Sequence, residues 1–434
     1  MARKMKDSGI EWIGEIPEGW EIRKIKNNFM IYAGATPKSE KAEYWDGGIP
    51  WITPADFKTT DKYVSYGRKS LTALGYDSCG STLVPAGSII FSKRAPVGSV
   101  VIAKNTLCTN QGCLACIPND AVNSTYFYYC MSIFTEQFEL VSAGTTFKEI
   151  AASTFASFLL PCPPLSQQNE IVNFLDKESS HIDSMLSKTR SSIEEYKKLK
   201  QAVITQAVTK GVRGEREMKD SGVEWIGEIP KKWNRCKLNS ICTFINGDRS
   251  KNYPSSEDFQ DIGIPFIGAD SLNGFFVDTY SARHISPAKY ASMGGLKITQ
   301  GDILYTLRGS TIGKNAIANF NDGTIASSLV GIRVKSPFLA SSSLLFYWLN
   351  SPNEFVQRDL CINGSTAPNL SAENVAQFFI YIPDITEQHE IADYLDAKCA
   401  EIDRLIAKKE QLVKELESYK KSLIYEVVTG KREV

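Results

Sequence analysis

At 434 residues, with 43% hydrophobic and 23% charged side chains, the chain is long enough for two or three domains and ordinary for a globular protein. Lysine plus arginine and aspartate plus glutamate both number 49, so the whole lacks the basic surplus of many nucleic-acid binders, and any basic surface has to be local. The opening MARKMKDSG carries no apolar signal region and no apolar run is long enough to cross a bilayer, which leads us to expect a cytoplasmic protein.

The first feature along the chain is KDSGIEWIGEIP at 6–17, which returns as KDSGVEWIGEIP at 219–230, 213 residues later. A segment of mixed short strands, helices and turns follows at 18–160, predicting an α+β domain. Within it, AGSIIFSKRAPVGSVVIA (86–103) reads as strand, basic turn and strand. SAGTTFKEIAASTFASFLLPCPP (142–164) reads as a Gly-Ser/Thr loop, a short helix and a strand ending in proline. Of the ten cysteines, Cys113 and Cys116 alone form a C-x2-C pair. A zinc site needs a second pair or nearby histidines, and His181, His284 and His389 lie far off, so the two read as buried thiols on a strand.

LSQQNEIVNFLDKESSHIDSMLSK (165–188) opens a long helix, with Ile171, Leu175, Ile182, Leu186 and Ile193 at spacings of four and seven. No glycine or proline interrupts 167–210; some 38 residues of such a seam make a rod of roughly 55–60 Å. After a short junction the second motif opens a second divergent segment, 234–380. GIPFIGADSL (263–272) matches GIPWITPADF (48–57), QGDILYTLRGSTIGKNAIA (300–318) matches 86–103, and INGSTAPNLSAENVAQFFIYIPD (362–384) matches 142–164. GSTIGKN (309–315) fails as a phosphate loop, having three residues between its glycines and Asn315 after the lysine. Methyltransferase, G-x-S-x-G and H-E-x-x-H motifs are missing as well, so the chain reads as a binder and not a catalyst.

A second helix starts at ITEQHEIADYLDAKCAEIDRLIAK (385–408), now offset by 220, with Ile391, Leu395, Ile402, Ile406, Leu412, Leu416 and Leu423 as its seam. The seven-residue change of offset predicts an insertion in the second divergent segment. A parallel helix pair would force the short junction to retrace the rod, so the pair should be antiparallel. The end TGKREV joined to the start MARKMKDSGIEW would recreate the central TKGVRGEREMKDSGVEW, so the repeat reads as a cycle cut once, with its two ends close together. The expected architecture is α+β: two similar globular recognition domains joined by two long antiparallel coiled-coil helices, a pseudo-two-fold cyclic repeat. Its boundaries fall at 1–164, 165–212, 213–384 and 385–434.

The two motif copies, GTTFKEIAASTFASFLLPCPPLSQQNEIVNFLD and IPDITEQHEIADYLDAKCAEID resemble the specificity subunit of type I DNA restriction–modification enzymes. The resemblance covers nearly the whole chain. It implies two target-recognition domains, each reading one half of an asymmetric bipartite site in double-stranded DNA, on successive helical turns about 34 Å apart. It implies that the helices space the domains and dock two modification subunits, and that restriction subunits can join. No cofactor is implied in this chain; S-adenosylmethionine would sit in the partner methyltransferase, ATP and Mg in the partner restriction subunit.

Under that reading the candidate DNA-binding residues are polar and basic positions in the loops. In the first domain they are Thr36, Lys38, Lys93, Arg94, Asn110, Gln111, Thr145, Thr146 and Lys148. In the second they are Asp248, Arg249, Lys251, Arg308, Lys314, Ser327, Ser328, Ser365, Thr366 and Asn369. Arginine and lysine suit guanine, Asn and Gln suit adenine, and Ser or Thr suit phosphate or either base; equally, polar residues beside glycines are common turn formers. The neutral net charge keeps open a second reading, a bivalent protein–protein adaptor on a coiled-coil rod.

Overall fold

The structure, a computed structural model, describes residues 3–57, 61–94, 96–144, 148–362 and 369–434. It divides into two compact units, Met1–Arg190 with Gln411–Val434, and Ser191–Glu410. Both divisions fall inside long helices, Leu165–Lys210 and Ile385–Val428, of 46 and 44 residues. Each unit is thus a globular part carrying half of each helix.

In unit one the central strand is Cys113–Pro118, paired antiparallel with Phe29–Ala33 on one side and Ile89–Ser92 on the other. Ile89–Ser92 is buried along its whole length, which is why it reads as an apolar run and not an alternation. Val100–Ala103 and Tyr63–Val64 complete a five-stranded sheet. Trp45–Ile52 pairs antiparallel with Lys69–Leu71 and parallel with Cys108–Thr109 in a three-stranded sheet. Glu21–Lys24 pairs with Leu159–Cys162, tying the start of the globular part to the residues just before the helix.

Unit two repeats this plan. Leu329–Val334 stands between Cys242–Asn246 and Ile303–Thr306, and Ile264–Ile267 stands between Arg283–Ile285 and Thr324–Ile325. Asn234–Lys237 pairs with Phe379–Ile382. Matching strand starts are Phe29 with Cys242, Ile89 with Ile303, Cys113 with Leu329 and Leu159 with Phe379. The expected extra residues are therefore spread over several loops, lengthening each a little and leaving the strands intact.

Within each unit the two helix halves run antiparallel. In unit one Lys420 Nζ binds Asp183 at 2.6 and 2.7 Å, and Arg190 meets Glu417 at 2.5 Å. In unit two Lys200 binds Asp403 at 2.6 Å, and Lys409 sits 5.7 Å from the Tyr196 ring centre. Ile171, Leu175, Ile182 and Leu186 share a core with Leu423 and Val427 in the first; Ile391 and Leu395 share one with Ile204 and Val208 in the second. Leu412, expected in the seam, is 42% exposed, because it stands six residues after Ile406; Val413, seven residues after, packs against the core in its place.

The repeated motif is a seat for a helix end. Met5–Asp7 pairs with Glu15–Pro17, and the Asp7 carboxylate accepts the Gly9 N–H at 2.9 Å to close the turn. Ile13, Ile16 and Trp20 point inward, and the Tyr425 hydroxyl donates to the Trp12 carbonyl at 3.0 Å. The helix stops at Gly430, whose φ of +73° suits glycine, and Gly430 lies against Pro17 and Trp20. In unit two Met218–Asp220 pairs with Glu228–Pro230, and Lys210 donates to the Glu228 carbonyl at the other helix end. The last residues of the chain thus close on its first motif, as the cut cycle requires.

Candidate nucleic-acid interface

Four loops meet at one edge of unit one, and backbone hydrogen bonds hold them in order. Ala35 N–H donates to Thr109 O at 2.9 Å, Lys93 N–H to Gly112 O at 3.0 Å, and Ile150 N–H to Lys93 O at 3.0 Å. The first of these loops passes so close to the third that a Cβ on Gly34 would sit 2.2 Å from Asn110 O. Glycine there is a requirement of the approach and not of the turn.

Of the candidate side chains in this unit, Thr36 donates from its hydroxyl to Gln111 Oε1. Lys38, Gln111 and Lys148 are exposed. Asn110 spends its carbonyl on the Gly112 N–H at 2.9 Å, leaving its amide NH2 without a partner among the described residues. Lys93 and Arg94 both turn to Glu149, at 2.8 and 3.6 Å. The Lys93 hydrogen bond holds the Glu149 carboxyl below the usual glutamate range. Thr145 and Thr146 lie outside the described residues.

Unit two builds the same edge from other residues. Gly247 stands where Gly34 does, and a Cβ on it would sit 2.5 Å from Ala326 O. Leu307 N–H donates to Ser328 O at 2.8 Å, and Leu370 N–H to Leu307 O at 2.9 Å. Arg249 donates to Ser327 O at 3.3 Å, and Arg308 bridges Asn369 through the backbone as Arg94 bridges Glu149. Asp248 is buried and accepts the Ser250 and Gly294 N–H groups at 2.7 and 2.8 Å. Those bonds, the Ser250 one first, hold its carboxyl below the ordinary range, so Asp248 shapes the loop that presents Arg249 and Lys251, both exposed. Lys314 donates to Asn273 at 2.7 Å. Ser327 and Ser328 are half-buried, Arg308 and Asn369 exposed, while Ser365 and Thr366 lie outside the described residues.

The edge therefore brings Thr36, Lys93, Arg94, Asn110 and Gln111 together in unit one, and Arg249, Arg308, Ser327, Ser328 and Asn369 in unit two. Glu149 was missed by reading loops for DNA-compatible residues alone. The offset of 220 between 142–164 and 362–384 sets it opposite Asn369 and carries the signal. The consequence is chemical: Arg94 faces a carboxylate, whereas among the described residues Arg308 faces none. A guanidinium without a carboxylate keeps its fork of donors for a planar acceptor.

No group of three or more His, Cys, Asp or Glu among the described residues is placed to hold a metal. Cys113 and Cys116 are buried on their strand and burial pushes both thiols far up, the chemistry of inert core residues. No described helix is long and apolar enough to cross a membrane.

Two copies of one scaffold that offer different polar loops at the same edge define a class of recognition protein. The chain belongs to the family described as type I restriction modification DNA specificity domain, whose pattern matches residues 17–195 and 230–416. It is 33% identical over 264 residues to the type I restriction enzyme MjaIX specificity subunit of Methanocaldococcus jannaschii, a match spanning 60% of each chain. It is 23% identical to the MjaVIII specificity subunit of the same organism, over 96% of this chain and 93% of that one. Among solved structures, a chain from work on complex assembly and conformational transition of the type I R-M system aligns with a TM-score of 0.73 at 16% identity, over 96% and 99% of the two chains. The HsdS subunit from Thermoanaerobacter tengcongensis aligns at 0.52 and 15%, over 96% and 98%; these two likenesses concern the fold.

Proposed function

We propose that this chain is the sequence-reading subunit of a type I restriction–modification complex, with each unit's loop edge contacting one half of a split DNA site. The observation that carries the reading is the pair of equivalent edges with unlike side chains, Arg94 beside Glu149 and Arg308 beside Asn369. Equivalent backbones allow one docking geometry; unlike side chains make the half-sites differ. One half-site discriminates modestly, since each mismatched base pair costs about 1–3 kcal/mol, and joining two readers makes the second contact effectively intramolecular.

The reading extends to partners. Two modification subunits would dock on the long helices, supply S-adenosylmethionine and methylate an adenine extruded from each half-site; restriction subunits using ATP and Mg would complete the nuclease. The names of the relatives above and the doubled scaffold support this. The test is co-purification with the neighbouring methyltransferase followed by mapping of methylated adenines in the host genome. A single split, asymmetric motif is expected; methylation unchanged when the chain is deleted would overturn the reading. The adaptor alternative is separated by salt. DNA binding loses about an order of magnitude of affinity per few phosphates neutralised as salt rises fourfold, whereas an adaptor retains no DNA at any salt.

A further inference from the structure

The turns that carry Arg94 and Arg308 share a frame but are braced differently. Gly98 N–H donates to Ser92 O at 2.9 Å, and Gly313 N–H to Thr306 O at 3.0 Å, so each turn closes on the end of the strand before it. In unit one the buried Ser92 hydroxyl is also within donating distance of two turn carbonyls, Arg94 O at 3.0 Å and Pro96 O at 2.7 Å. Unit two lacks that brace. Three residues separate Arg94 from Gly98, but four separate Arg308 from Gly313. The Thr306 hydroxyl, at the place of Ser92 and equally buried, has no partner among the described residues.

A different group supports the longer turn. The Arg358 guanidinium lies against Gly313, so closely that a Cβ there would collide with it. Arg358 stands on the helix Pro352–Asp359, one turn after Glu354, whose carboxyl group it meets at 3.2 Å. Glu354 is fully buried and accepts the Tyr305 hydroxyl on its other oxygen. Tyr305 precedes Thr306 in the strand Ile303–Thr306 that leads into the turn, so the chain of contacts starts and ends on the same segment. In unit one the place of Tyr305 belongs to Phe91, which packs on Phe138 and Phe155 with ring centres 4.8 and 4.4 Å away. A buried ion pair adds little stability over well-packed apolar groups. Packing therefore does not account for Glu354 and Arg358, whereas a turn that has to be held in one place does.

We propose that Arg358 is the positioning residue of unit two's reading turn: held by Glu354 and Tyr305, it fixes the 308–314 turn and with it the reach of Arg308 and Lys314 toward DNA. This rests on the reading of the chain as a specificity subunit, and it adds to that reading a residue that touches no base. It also makes the two half-sites respond differently to pH. Burial pushes Glu354 up to about 7, against the pull of Arg358; the other groups facing it are Tyr305 on the strand and Asp359 on its own helix. Above that value the ionised carboxylate grips the guanidinium, and below it the neutral carboxyl lets go. Unit one has Phe91 in that place, and Glu149 beside Arg94 titrates below the usual glutamate range, so its turn stays the same through neutral pH.

The test titrates the full chain against duplex probes carrying the methylated site mapped in the host genome, with one half-site scrambled at a time. Arg358→Met with Glu354→Gln removes the ion pair without stranding a buried charge. It should weaken the half-site of unit two by about fivefold or more, the least that one misplaced base contact costs, with the other half-site and the unfolding temperature unchanged. Wild type should lose affinity for that same half-site as pH falls from about 8 to about 6, and Glu354→Gln should flatten the profile, which a loss of packing alone would not do. A double variant that keeps both half-sites, or a wild-type profile alike for the two, would overturn this inference and leave the specificity reading intact. If the double variant unfolds early, the pH profile decides: a decline confined to unit two's half-site supports the inference, and a flat one overturns it. A wild-type chain that tells neither half-site from scrambled DNA would overturn both.

Discussion

Arg308 and Arg94 occupy equivalent positions, but a carboxylate stands 3.6 Å from Arg94. A charge pair already made has to be broken or shared before the guanidinium binds a base or phosphate, so Arg308 should contribute more. Arg308→Ala is expected to weaken binding by about 1–3 kcal/mol on probes carrying its own half-site, and to leave probes with that half-site scrambled unaffected. Arg94→Ala should cost less, and Glu149→Asn should strengthen the other half-site; gel-shift titrations on half-site probes check all three. A second residue-scale consequence concerns stability. Tyr305 donates its hydroxyl to Glu354, Arg358 lies 3.2 Å from the same carboxyl, and burial still pushes Glu354 up to about 7. The folded carboxyl keeps its proton where the unfolded one, near the ordinary value of about 4.3, has lost it. Its contribution is complete below the unfolded value and declines as pH rises toward about 7, by at most about 1.4 kcal/mol per pH unit. Urea unfolding of Glu354→Gln should show this slope removed. At this scale the sequence named the basic residues of the loops but not their partners: Glu149 and Asn273 are set by contacts across loops, and Asp248, read from sequence as a DNA-binding candidate, is buried where Gly294 approaches it.

At the scale of elements, the helices were legible because a seam of Ile and Leu at spacings of four and seven is a local pattern. The strand order of the sheets was not, since Cys113–Pro118 finds Phe29–Ala33 across more than seventy residues of chain and nothing local records that pairing. Even the seam was legible only in part. Taken as seam residues, Leu395 and Leu412 have the same role, but Leu412 follows Ile406 by six residues and not seven; Leu395 is fully buried, whereas Leu412 is 42% exposed and its neighbour Val413 packs inward. Leu395→Ala is therefore expected to cost about 2–5 kcal/mol and Leu412→Ala less than about 0.5 kcal/mol, measured by denaturant unfolding. The helix seats make a similar contrast between two glycines. Gly9 and Gly430 share a φ of +73°, but a Cβ at Gly9 meets open space and one at Gly430 would come within 2.4 Å of the Pro17 ring. Gly9→Ala should cost the backbone strain alone, about 1–2 kcal/mol. Gly430→Ala should lower the unfolding temperature further, because the helix end has to lift off its seat.

For the whole molecule, the repeat dictates more than a duplicated fold. In unit two the helix ending at Gly211 continues through 212–217 into the motif hairpin at Met218. In unit one the helix ending near Gly430 meets the hairpin at Met5 with no covalent link, and the seat is nonetheless the same: Gly430 against Pro17, Tyr425 against Trp12. The covalent link at 212–217 is thus dispensable for forming a seat, since the other seat forms without one. Joining Val434 to Met1 would supply eight residues between Gly430 and Met5, against six between Gly211 and Met218, so the new junction needs no added linker. A permutant so joined and reopened within 212–217 is expected to fold with unchanged helix content by circular dichroism and to unfold within a few degrees of the parent. It exposes no new apolar surface, because Arg213, Gly214 and Glu215 are already exposed. The permutation also removes the ion pairs of Arg213 and Arg216 with Glu387 and Glu390 from a continuous chain. If those pairs and not the apolar seat held the helix end, the permutant would lose unit two selectively, visible as a separate early transition. A single transition at the parental temperature is the outcome that the seat of Ile229 and Trp233 predicts.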